Sequence, residues 1–307
     1  MFGIQYPILQ GGMLWIAAAE LAATVSNAGA LGVISPYAGM EANGDPLRNL
    51  HLQIERTRNL TEKPFGVNIP LDLPSSGLLI DVLIREKVGI AVTAAGNPQL
   101  YTELLRSAGI HVVHVISSGA QARLAEASRV DAVIAEGVEA GGRLGREELP
   151  LFSLLPQVVD AVSIPVIAAG GIADGRGLTA AFALGAAGVQ LGTRFIATEE
   201  CIAHRYYKQA IVDAGDSETI ITRREFIPTR SLRSKFILEL AAMGKSGASA
   251  EDIRKFAGQG RGRKAQIEGN LEDGDAFAGS SAGLIKEVIP ASAVVEDLAK
   301  AYRKLSS

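Results

Sequence analysis

The chain has 307 residues, 48% of them hydrophobic, and a formal net charge of −3 at pH 7. This length and apolar content suffice for a large buried core, and the nearly balanced charge disfavours nucleic-acid or membrane-surface partners. One cysteine excludes an internal disulfide, no apolar run is long enough for a spanning helix, and the N-terminus lacks signal-peptide features, so we expect a cytoplasmic protein with no membrane partner.

Short apolar runs alternate with helix-like segments up to residue 191. The predicted strands cover residues 8–10, 32–34, 66–69, 90–92, 112–115, 132–135, 166–168 and 189–191. The predicted helices between them cover residues 17–27, 46–60, 76–86, 98–107, 120–127, 151–161 and 175–184. Short, continuously apolar strands suit a sheet buried on both faces, and their number is that of a (β/α)8 TIM barrel. We therefore predict this α/β fold, with an open doubly wound sheet as the alternative.

The pattern changes beyond residue 198. Residues 199–285 are more charged, and we predict helices over 203–214, 231–243 and 250–256 without strands between them. A final helix over Ala291–Leu305 is predicted to complete the barrel. The expected organisation is a barrel of residues 1–198 and 286–307 with a helical insertion, residues 199–285, after the eighth strand. We expect the insertion to cover the barrel mouth as a lid; a surface elaboration is the alternative.

The seventh and eighth predicted strands each end in a glycine turn. Gly170-Gly171 follows the seventh strand, Gly192-Thr193 follows the eighth, and Asp174 is a plausible N-cap for the helix between them. Glycine lets backbone N–H groups converge on an anion, and the positive end of a helix favours the same guest. The pair predicts a phosphate site, although two tight turns without a ligand would have the same sequence.

Polar residues and glycines also follow the other predicted strands, at the end of a barrel where active sites lie. They are Gly11, Gly12 and Met13 after the first strand, Asn68 on the third, His114 on the fifth, and Glu136, Gly141 and Arg143 after the sixth. The histidines and the lone cysteine lack the spacing of a metal site, so we predict no metal. A glycine-floored mouth suits a planar phosphorylated cofactor, and FMN is the candidate.

Several ordered motifs carry a resemblance to a known family. They are PILQGGM (7–13), KPFGVN (63–68), AGNP (95–98), DAVIAEGVEAGG (131–142), IPVIAAGGIADGRG (164–177), QLGTRF (190–195) and SSAGLI (280–285). This set resembles the nitronate monooxygenases, once called 2-nitropropane dioxygenases. The family also includes flavin-dependent enoyl-acyl-carrier-protein reductases of type II and a group of NADH:quinone reductases.

The resemblance implies an FMN-bearing TIM barrel and assigns roles to the residues at its mouth. The implied cofactor-binding set is Gly11, Gly12 and Met13 beside the isoalloxazine, Asn68 and Glu136 near the ring and ribityl chain, Gly141, and Gly170, Gly171, Gln190, Gly192 and Thr193 at the phosphate end. For Glu136 a buried carboxylate bonded to backbone N–H groups is the alternative, and Asn68 would otherwise cap a turn.

One position departs from the family pattern. The run corresponding to EAGG is usually followed by a histidine near the flavin, whereas here the residue is Arg143. Arginine stays protonated at physiological pH, so it is a poor base for the α-proton of a nitroalkane, but it can hold an anion or polarise a carbonyl. His114 is the candidate to replace the missing group, with packing in the barrel wall as its alternative. We predict Arg143 and His114 as the catalytic residues.

Two features of the insertion bear on partners. Tyr206 and Tyr207 would either close over the flavin or pack a helix. A basic cluster, formed by Arg254, Lys255, Arg261, Arg263 and Lys264, would either attract phosphates of NAD(P)H or an acyl carrier, or be solvated surface charge.

Three functions stay open. The first is a flavin oxidoreductase that passes electrons from NAD(P)H through FMN to an enoyl thioester, a quinone or a similar acceptor. The second is a nitronate monooxygenase that uses dioxygen, and the third is a non-redox barrel that binds a phosphorylated ligand. We expect a small-molecule or acyl-thioester substrate and consider a homodimer.

Overall fold

The computed structural model describes residues 1–305. Its strands are β1 (Ile8–Gln10), β2 (Gly32–Ile34), β3 (Phe65–Pro70), β4 (Ile90–Ala94), β5 (His111–Ile116), β6 (Ala132–Glu136), β7 (Gly142–Arg143), β8 (Val166–Ala169), β9 (Gly188–Leu191), β10 (Thr219–Thr222) and β11 (Thr229–Leu232).

The same part of the chain forms the α-helices α1 (Ala19–Asn27), α2 (Pro46–Leu60), α3 (Ser76–Arg85), α4 (Thr102–Ser107), α5 (Gly119–Ala127), α6 (Leu151–Val159), α7 (Gly175–Ala183), α8 (Thr193–Ile196), α9 (Arg205–Val212), α10 (Lys235–Lys245), α11 (Ala250–Ala257), α12 (Arg261–Gln266) and α13 (Ala291–Leu305). Short 3-10 turns lie at Pro98–Leu100 and Ser280–Leu284.

Eight parallel strands form the barrel. Their order is β1-β9-β8-β6-β5-β4-β3-β2, so each strand neighbours the next barrel strand in the chain, apart from the seam between β1 and β9. The two ends of the sheet meet at Leu31, whose N–H donates to the carbonyl of Ile8 and whose carbonyl accepts from Gln10 N–H, both at 2.9 Å. The predicted (β/α)8 barrel is confirmed, and the open doubly wound sheet is excluded.

Alternation along the strands separates two apolar layers. Inward side chains such as Leu9, Val92 and Ile134 fill the barrel, whereas outward ones such as Val112 and Val133 pack under the helices. Because both faces of each strand are buried, the strands read as continuous apolar runs. The register also decides which polar residues face the barrel axis at the strand ends.

Local sequence signals set the helix ends. Asp174 caps α7 as predicted, because its carboxylate accepts from Arg176 N–H at 2.9 Å and Gly177 N–H at 3.4 Å. Asp45 caps α2 in the same way and is followed by Pro46, whose missing N–H costs nothing in the first turn. The last helix, α13, packs against α7 and α1, which is the place of the eighth barrel helix.

The insertion differs from the expectation of helices without strands. β10 and β11 form an antiparallel pair, and β11 also pairs with β7 of the barrel loop, where Thr229 lies opposite Arg143. Residues 219–222 are all β-branched, which favours a strand, and residues 229–232 pair with them along their full length. The helix predicted over 231–243 therefore begins only at Lys235. Residues 306 and 307 of the predicted barrel unit lie outside the described residues.

Within residues 1–305, none of the helices has both the length and the apolar character needed to cross a membrane.

Candidate active site

A cavity of about 670 Å³ opens at the carboxyl ends of the barrel strands. Its walls include Arg143 and every residue predicted to bind the cofactor, namely Gly11, Gly12, Met13, Asn68, Glu136, Gly141, Gly170, Gly171, Gln190, Gly192 and Thr193. Residues of the insertion also line it. The fold therefore brings these predicted residues together around one space.

The floor of the cavity is set by strand register. Ala169 on β8 lies opposite Glu136 of β6 on one side and Gln190 of β9 on the other. The two polar side chains therefore stand at the same height, two strand spacings or about 10 Å apart. The small side chain of Ala169 leaves the space above it open, so the floor suits a flat ligand.

Three polar groups on this floor lack a protein partner. The side chains of Asn68 and Glu136 make no hydrogen bond within residues 1–305, and the carboxamide oxygen of Gln190 is buried without one. Burial raises the pKa of the Glu136 carboxyl to about 7. Unpartnered polar groups are costly in a protein interior, so these three are suited to bind the polar edge of a ligand. The alternative for Glu136, a carboxylate bonded to backbone N–H groups, is not seen.

The two glycine turns lie side by side because β8 and β9 are neighbours. Gly170 and Gly171 have φ of +93° and +74°, a conformation that side-chain-bearing residues rarely adopt. At Gly192 a Cβ atom would meet nothing within 4 Å, so the backbone faces open space. Thr193 begins the short helix α8, and its Oγ1 accepts from Gly279 N–H at 2.9 Å, which leaves the hydroxyl hydrogen free to donate. Barrels commonly hold phosphate in this place.

Close packing explains two further glycines. A Cβ atom on Gly12 would overlap the side chain of Asn68, and one on Gly141 would lie 2.6 Å from Gly279 N. Side chains at these positions would displace the groups that shape the cavity. Glycine is therefore required here by space.

Arg143 reaches the cavity wall from β7 and pairs with Asp72. The Nη2–Oδ2 distance is 2.6 Å and the Nη1–Oδ1 distance is 3.4 Å, so the guanidinium and the carboxylate face each other along two edges. Asp72 lies just beyond the end of β3 and lines the same cavity. The position where the resemblance led us to expect a histidine thus carries an ion pair.

His114 is not brought to the cavity. It points outward from β5, is 4% exposed, and its Nδ1 lies 2.7 Å from Thr93 Oγ1 in the layer under the helices. Desolvation lowers the pKa of His114 to about 4, so the ring is neutral at physiological pH. The prediction of a catalytic His114 placed the residue correctly near a strand end but did not resolve which face of the strand it occupies. The packed alternative describes its position.

Residues of the insertion that are close together in the sequence occupy different surroundings in the structure. Tyr207 is fully buried, lines the cavity and hydrogen-bonds the carbonyl of Phe277, whereas Tyr206 is 53% exposed. In the basic cluster, Arg254 and Arg261 stack on Phe226 and Phe236, while Arg263 and Lys264 pair with carboxylates. Arg263 also pairs with Glu41 and donates to the carbonyl of Met40, so these four charges are engaged within the insertion or at its contact with the barrel.

Several cavity residues were not found from the sequence. They are Asp72, Arg146, Phe226, Ile227, Pro228, Gln266, Phe277 and Ser281. Asp72 and Arg146 lie a few residues beyond strand ends, and Ser281 belongs to the SSAGLI motif, so local sequence indicates these three. The others reach the cavity through contacts distant in sequence, for which no local signal exists.

Among the described residues, no group of three or more His, Cys, Asp or Glu side chains is placed to hold a metal ion. The polar floor, the glycine turns and the apolar walls instead suit a planar ligand that carries a phosphate. Fold and cavity together define a (β/α)8 barrel of the kind that binds a phosphorylated cofactor.

Comparisons with known proteins identify the family. The family model described as nitronate monooxygenase matches residues 1–79 and 77–301. The chain is 38% identical to the (3aS,4S,5R,7aS)-5-hydroxy-7a-methyl-1-oxo-octahydro-1H-indene-4-carboxyl-CoA dehydrogenase of Rhodococcus jostii, over 83% of this chain and 71% of that protein. It is 32% identical to a probable nitronate monooxygenase of Staphylococcus aureus, over 78% of this chain and 79% of the relative. The chain therefore belongs to the nitronate monooxygenase family.

Solved structures agree with this assignment. FabK from Thermotoga maritima superposes with a TM-score of 0.91 at 42% identity, covering 99% of this chain and 95% of that one. The nitroalkane oxidase of Streptomyces ansochromogenes superposes with a TM-score of 0.83 at 30% identity, covering 99% and 98%. The family consists of flavin-dependent oxidoreductases, and the chain is an oxidoreductase of this family. This result disfavours the non-redox alternative.

Proposed function

We propose that the protein is an FMN-dependent reductase that takes a hydride from NAD(P)H and passes electrons to an enoyl thioester, a quinone or a similar acceptor. The observation that carries the proposal is the arrangement of the cavity, in which unpartnered polar groups on the floor continue into paired glycine turns. The likeness to FabK and to a carboxyl-CoA dehydrogenase supports a reductase that acts on acyl thioesters.

The residues divide by the part of FMN that they would hold. Gly170, Gly171, Gly192 and Thr193 would bind the phosphate through backbone N–H groups and the Thr193 hydroxyl. Asn68, Glu136 and Gln190 would bind polar atoms of the ring and ribityl chain, with Gly11, Gly12, Met13 and Gly141 packed against the cofactor. FMN supplies hydride acceptance and donation when it is bound.

The protein's own groups limit the proton chemistry. Arg143 keeps its charge at physiological pH and cannot act as a general base. In the absence of the cofactor, burial raises the pKa of Glu136 to about 7, so its carboxyl can hold or release a proton near neutrality. Tyr207 and Phe226 add aromatic surface to the cavity wall.

A second candidate is a nitronate monooxygenase that oxidises alkyl nitronates with dioxygen. The family model and the relative from Staphylococcus aureus favour it. An alkyl nitronate is already ionised, so its oxidation does not need the base that Arg143 cannot provide.

Anaerobic reduction of the purified protein distinguishes the two candidates. We expect stoichiometric FMN in the purified protein, and rapid loss of flavin absorbance on mixing with NADH or NADPH. Loss of absorbance with propyl nitronate alone, and none with either nicotinamide, would instead select the monooxygenase. A purified protein without flavin would contradict both.

Two lesser proposals concern the whole molecule: a homodimer and a cytoplasmic location. Sedimentation of the purified protein and localisation of a tagged copy test them.

A further inference from the structure

An ion pair spans two walls of the cavity on the side away from the glycine turns. Arg143 belongs to β7, and Asp72 lies two residues past the end of β3, so the pair joins parts of the chain 71 residues apart. Both side chains line the cavity and remain accessible, with 46% of the Arg143 side chain and 31% of the Asp72 side chain exposed. The guanidinium therefore presents an accessible charged face to the cavity.

The backbone fixes the position of Arg143, whereas its ion pair is weak. Pairing of β7 with β11 places Arg143 opposite Thr229, and Gly142 precedes it with φ of +84°. A half-exposed ion pair contributes little to stability, because both charges are well solvated when apart. An incoming anion can thus replace the Asp72 carboxylate on a guanidinium that is already in place.

The charged residues that line the cavity are the cations Arg143 and Arg146 and the carboxylates Asp72, Glu136 and Glu139. Arg146 also lines the cavity, and its Nη2 donates to the carbonyl of Phe226 at 2.9 Å, a partner that does not neutralise the guanidinium. Glu139 lines the cavity too, but both its carboxylate oxygens accept from Leu151 N–H at 3.0 Å, at the start of α6. Asp72 is the carboxylate paired with Arg143, and Arg146 has no carboxylate partner within residues 1–305, so this wall carries one cation that no carboxylate neutralises.

We propose that Arg143 determines acceptor specificity by binding a singly charged oxyanion, such as a carboxylate, of the electron acceptor in the place that Asp72 occupies. Asp72 holds the guanidinium when the acceptor is absent. This inference rests on the proposed function and narrows its acceptors to compounds that carry such an oxyanion. A planar guanidinium offers two parallel N–H donors, which fit one carboxylate along two edges.

The diphosphate of a nicotinamide nucleotide has the same anionic oxygens, so the test must separate the two sources. Binding is measured by calorimetry on oxidised holoenzyme with trans-2-octenoate, which is anionic, and trans-2-octenamide, its neutral counterpart. Anaerobic reduction by NADH and NADPH is measured on the same preparations. The FMN content of the parent protein and its reduction by the nicotinamides test the proposed function. The calorimetry requires no turnover and tests this inference separately.

We expect the parent protein to bind octenoate at least tenfold more tightly than octenamide. Arg143→Gln should abolish that preference, Arg143→Lys should keep part of it, and Asp72→Asn should strengthen octenoate binding severalfold by freeing the guanidinium. The matched control is Arg129→Gln, which removes the same charge from a surface pair with Glu103 at 3.4 Å and should leave the preference intact.

Three results would overturn the proposal. The parent protein showing no preference for octenoate is the first, and Arg143→Gln retaining the preference is the second. The third is a loss of nicotinamide affinity in Arg143→Gln that exceeds its loss of octenoate affinity, which would assign the anion to the nucleotide.

Discussion

The two sides of the cavity are built in different ways. The barrel side consists of strand ends, glycines and short polar side chains whose positions follow from β-sheet register. The insertion side consists of larger side chains, including Tyr207, Phe226 and Phe277, which arrive from a segment with its own small core. We infer that the barrel side can keep one cofactor while the insertion side changes with the acceptor.

Packing supports this division. The insertion core is formed by Phe236, Ile237, Leu240, Ile253 and Ala257, which cluster separately from the barrel layers. Ion pairs and hydrogen bonds connect the parts of the insertion. An example is the buried ion pair of Arg223 with Asp275, whose other carboxylate oxygen accepts a hydrogen bond from the Ser231 hydroxyl. A change confined to this separate cluster should leave the barrel strands in place, whereas Tyr207 and Leu232 pack in the larger cluster that includes the outer barrel layer.

The largest effect should follow from filling the phosphate end. We predict that Gly192→Val prevents stoichiometric FMN retention and lowers FMN affinity by at least about 100-fold, because the added atoms enter space that no protein atom occupies within 4 Å of the Cβ position. The protein itself should still fold, since the backbone at Gly192 has an ordinary φ of −108°. Flavin fluorescence after gel filtration and circular dichroism measure the two expectations.

The control is Gly89→Val, at the opposite end of the barrel. A Cβ atom at Gly89 also meets nothing within 4 Å, so the two variants differ in place and not in local crowding. Gly89→Val should keep its FMN. A Gly192→Val protein that retains stoichiometric FMN would contradict the assignment of the phosphate to this turn.

On the insertion side, Phe226→Ala should weaken binding of the acceptor and leave binding of the cofactor unchanged. The ring lines the cavity and supports the Arg254 guanidinium, which lies 4.9 Å from its centre. We expect KM for the acceptor to rise about tenfold, which corresponds to about 1.4 kcal/mol of lost contact, with FMN content unchanged. Steady-state kinetics with an enoyl thioester or a quinone measure the change.

Phe152→Ala is the matched control, because Phe152 is 73% exposed on α6 and lies outside the cavity lining. It should leave KM unaltered. Loss of FMN from Phe226→Ala would show that the insertion also holds the cofactor, and the division of the cavity would then fail.

Much of the barrel side could be predicted from the sequence. Parallel strands buried on both faces give continuous apolar runs, and the residues that follow them gather at one end of the barrel. Position along the strand therefore places Asn68, Glu136 and the glycine turns at the mouth of the barrel. The face of the strand is harder to predict when both faces are apolar, and His114 shows this, because its neighbours on β5 are apolar in both directions.

The insertion side could not be predicted in the same way. β11 pairs with β10 along four residues and on its other edge with β7, a two-residue strand that joins the insertion to a distant part of the chain. Phe226 to Pro228 come to the cavity on the loop between β10 and β11, and Arg143 meets Asp72 only when the barrel closes. Such contacts depend on tertiary geometry that local patterns do not contain.

A third effect distinguishes a cavity group from a wall group through the pH dependence of stability. Burial raises the pKa of Glu136 from 4.5 to about 7, so the native state holds a proton that the unfolded state has lost, and its contribution to stability falls as pH rises through this range. Burial lowers the pKa of His114 from 6.5 to about 4, so its contribution is complete above 6.5 and is lost as pH falls. Between pH 4.5 and 6.5 the two slopes oppose each other.

Single variants of flavin-free protein should therefore separate the two slopes. Relative to the parent, the free energy of unfolding of Glu136→Gln should gain a rising slope with pH, and that of His114→Gln a falling slope, each at most about 1.4 kcal/mol per pH unit. Urea denaturation between pH 4.5 and 6.5 measures both, with Glu62→Gln on the exposed surface as the control. If the free energy of unfolding of both variants varies with pH in parallel with that of the parent, neither group titrates with the shifted pKa that its burial should produce. Restoring FMN should then suppress the Glu136 slope alone, because only Glu136 faces the cavity.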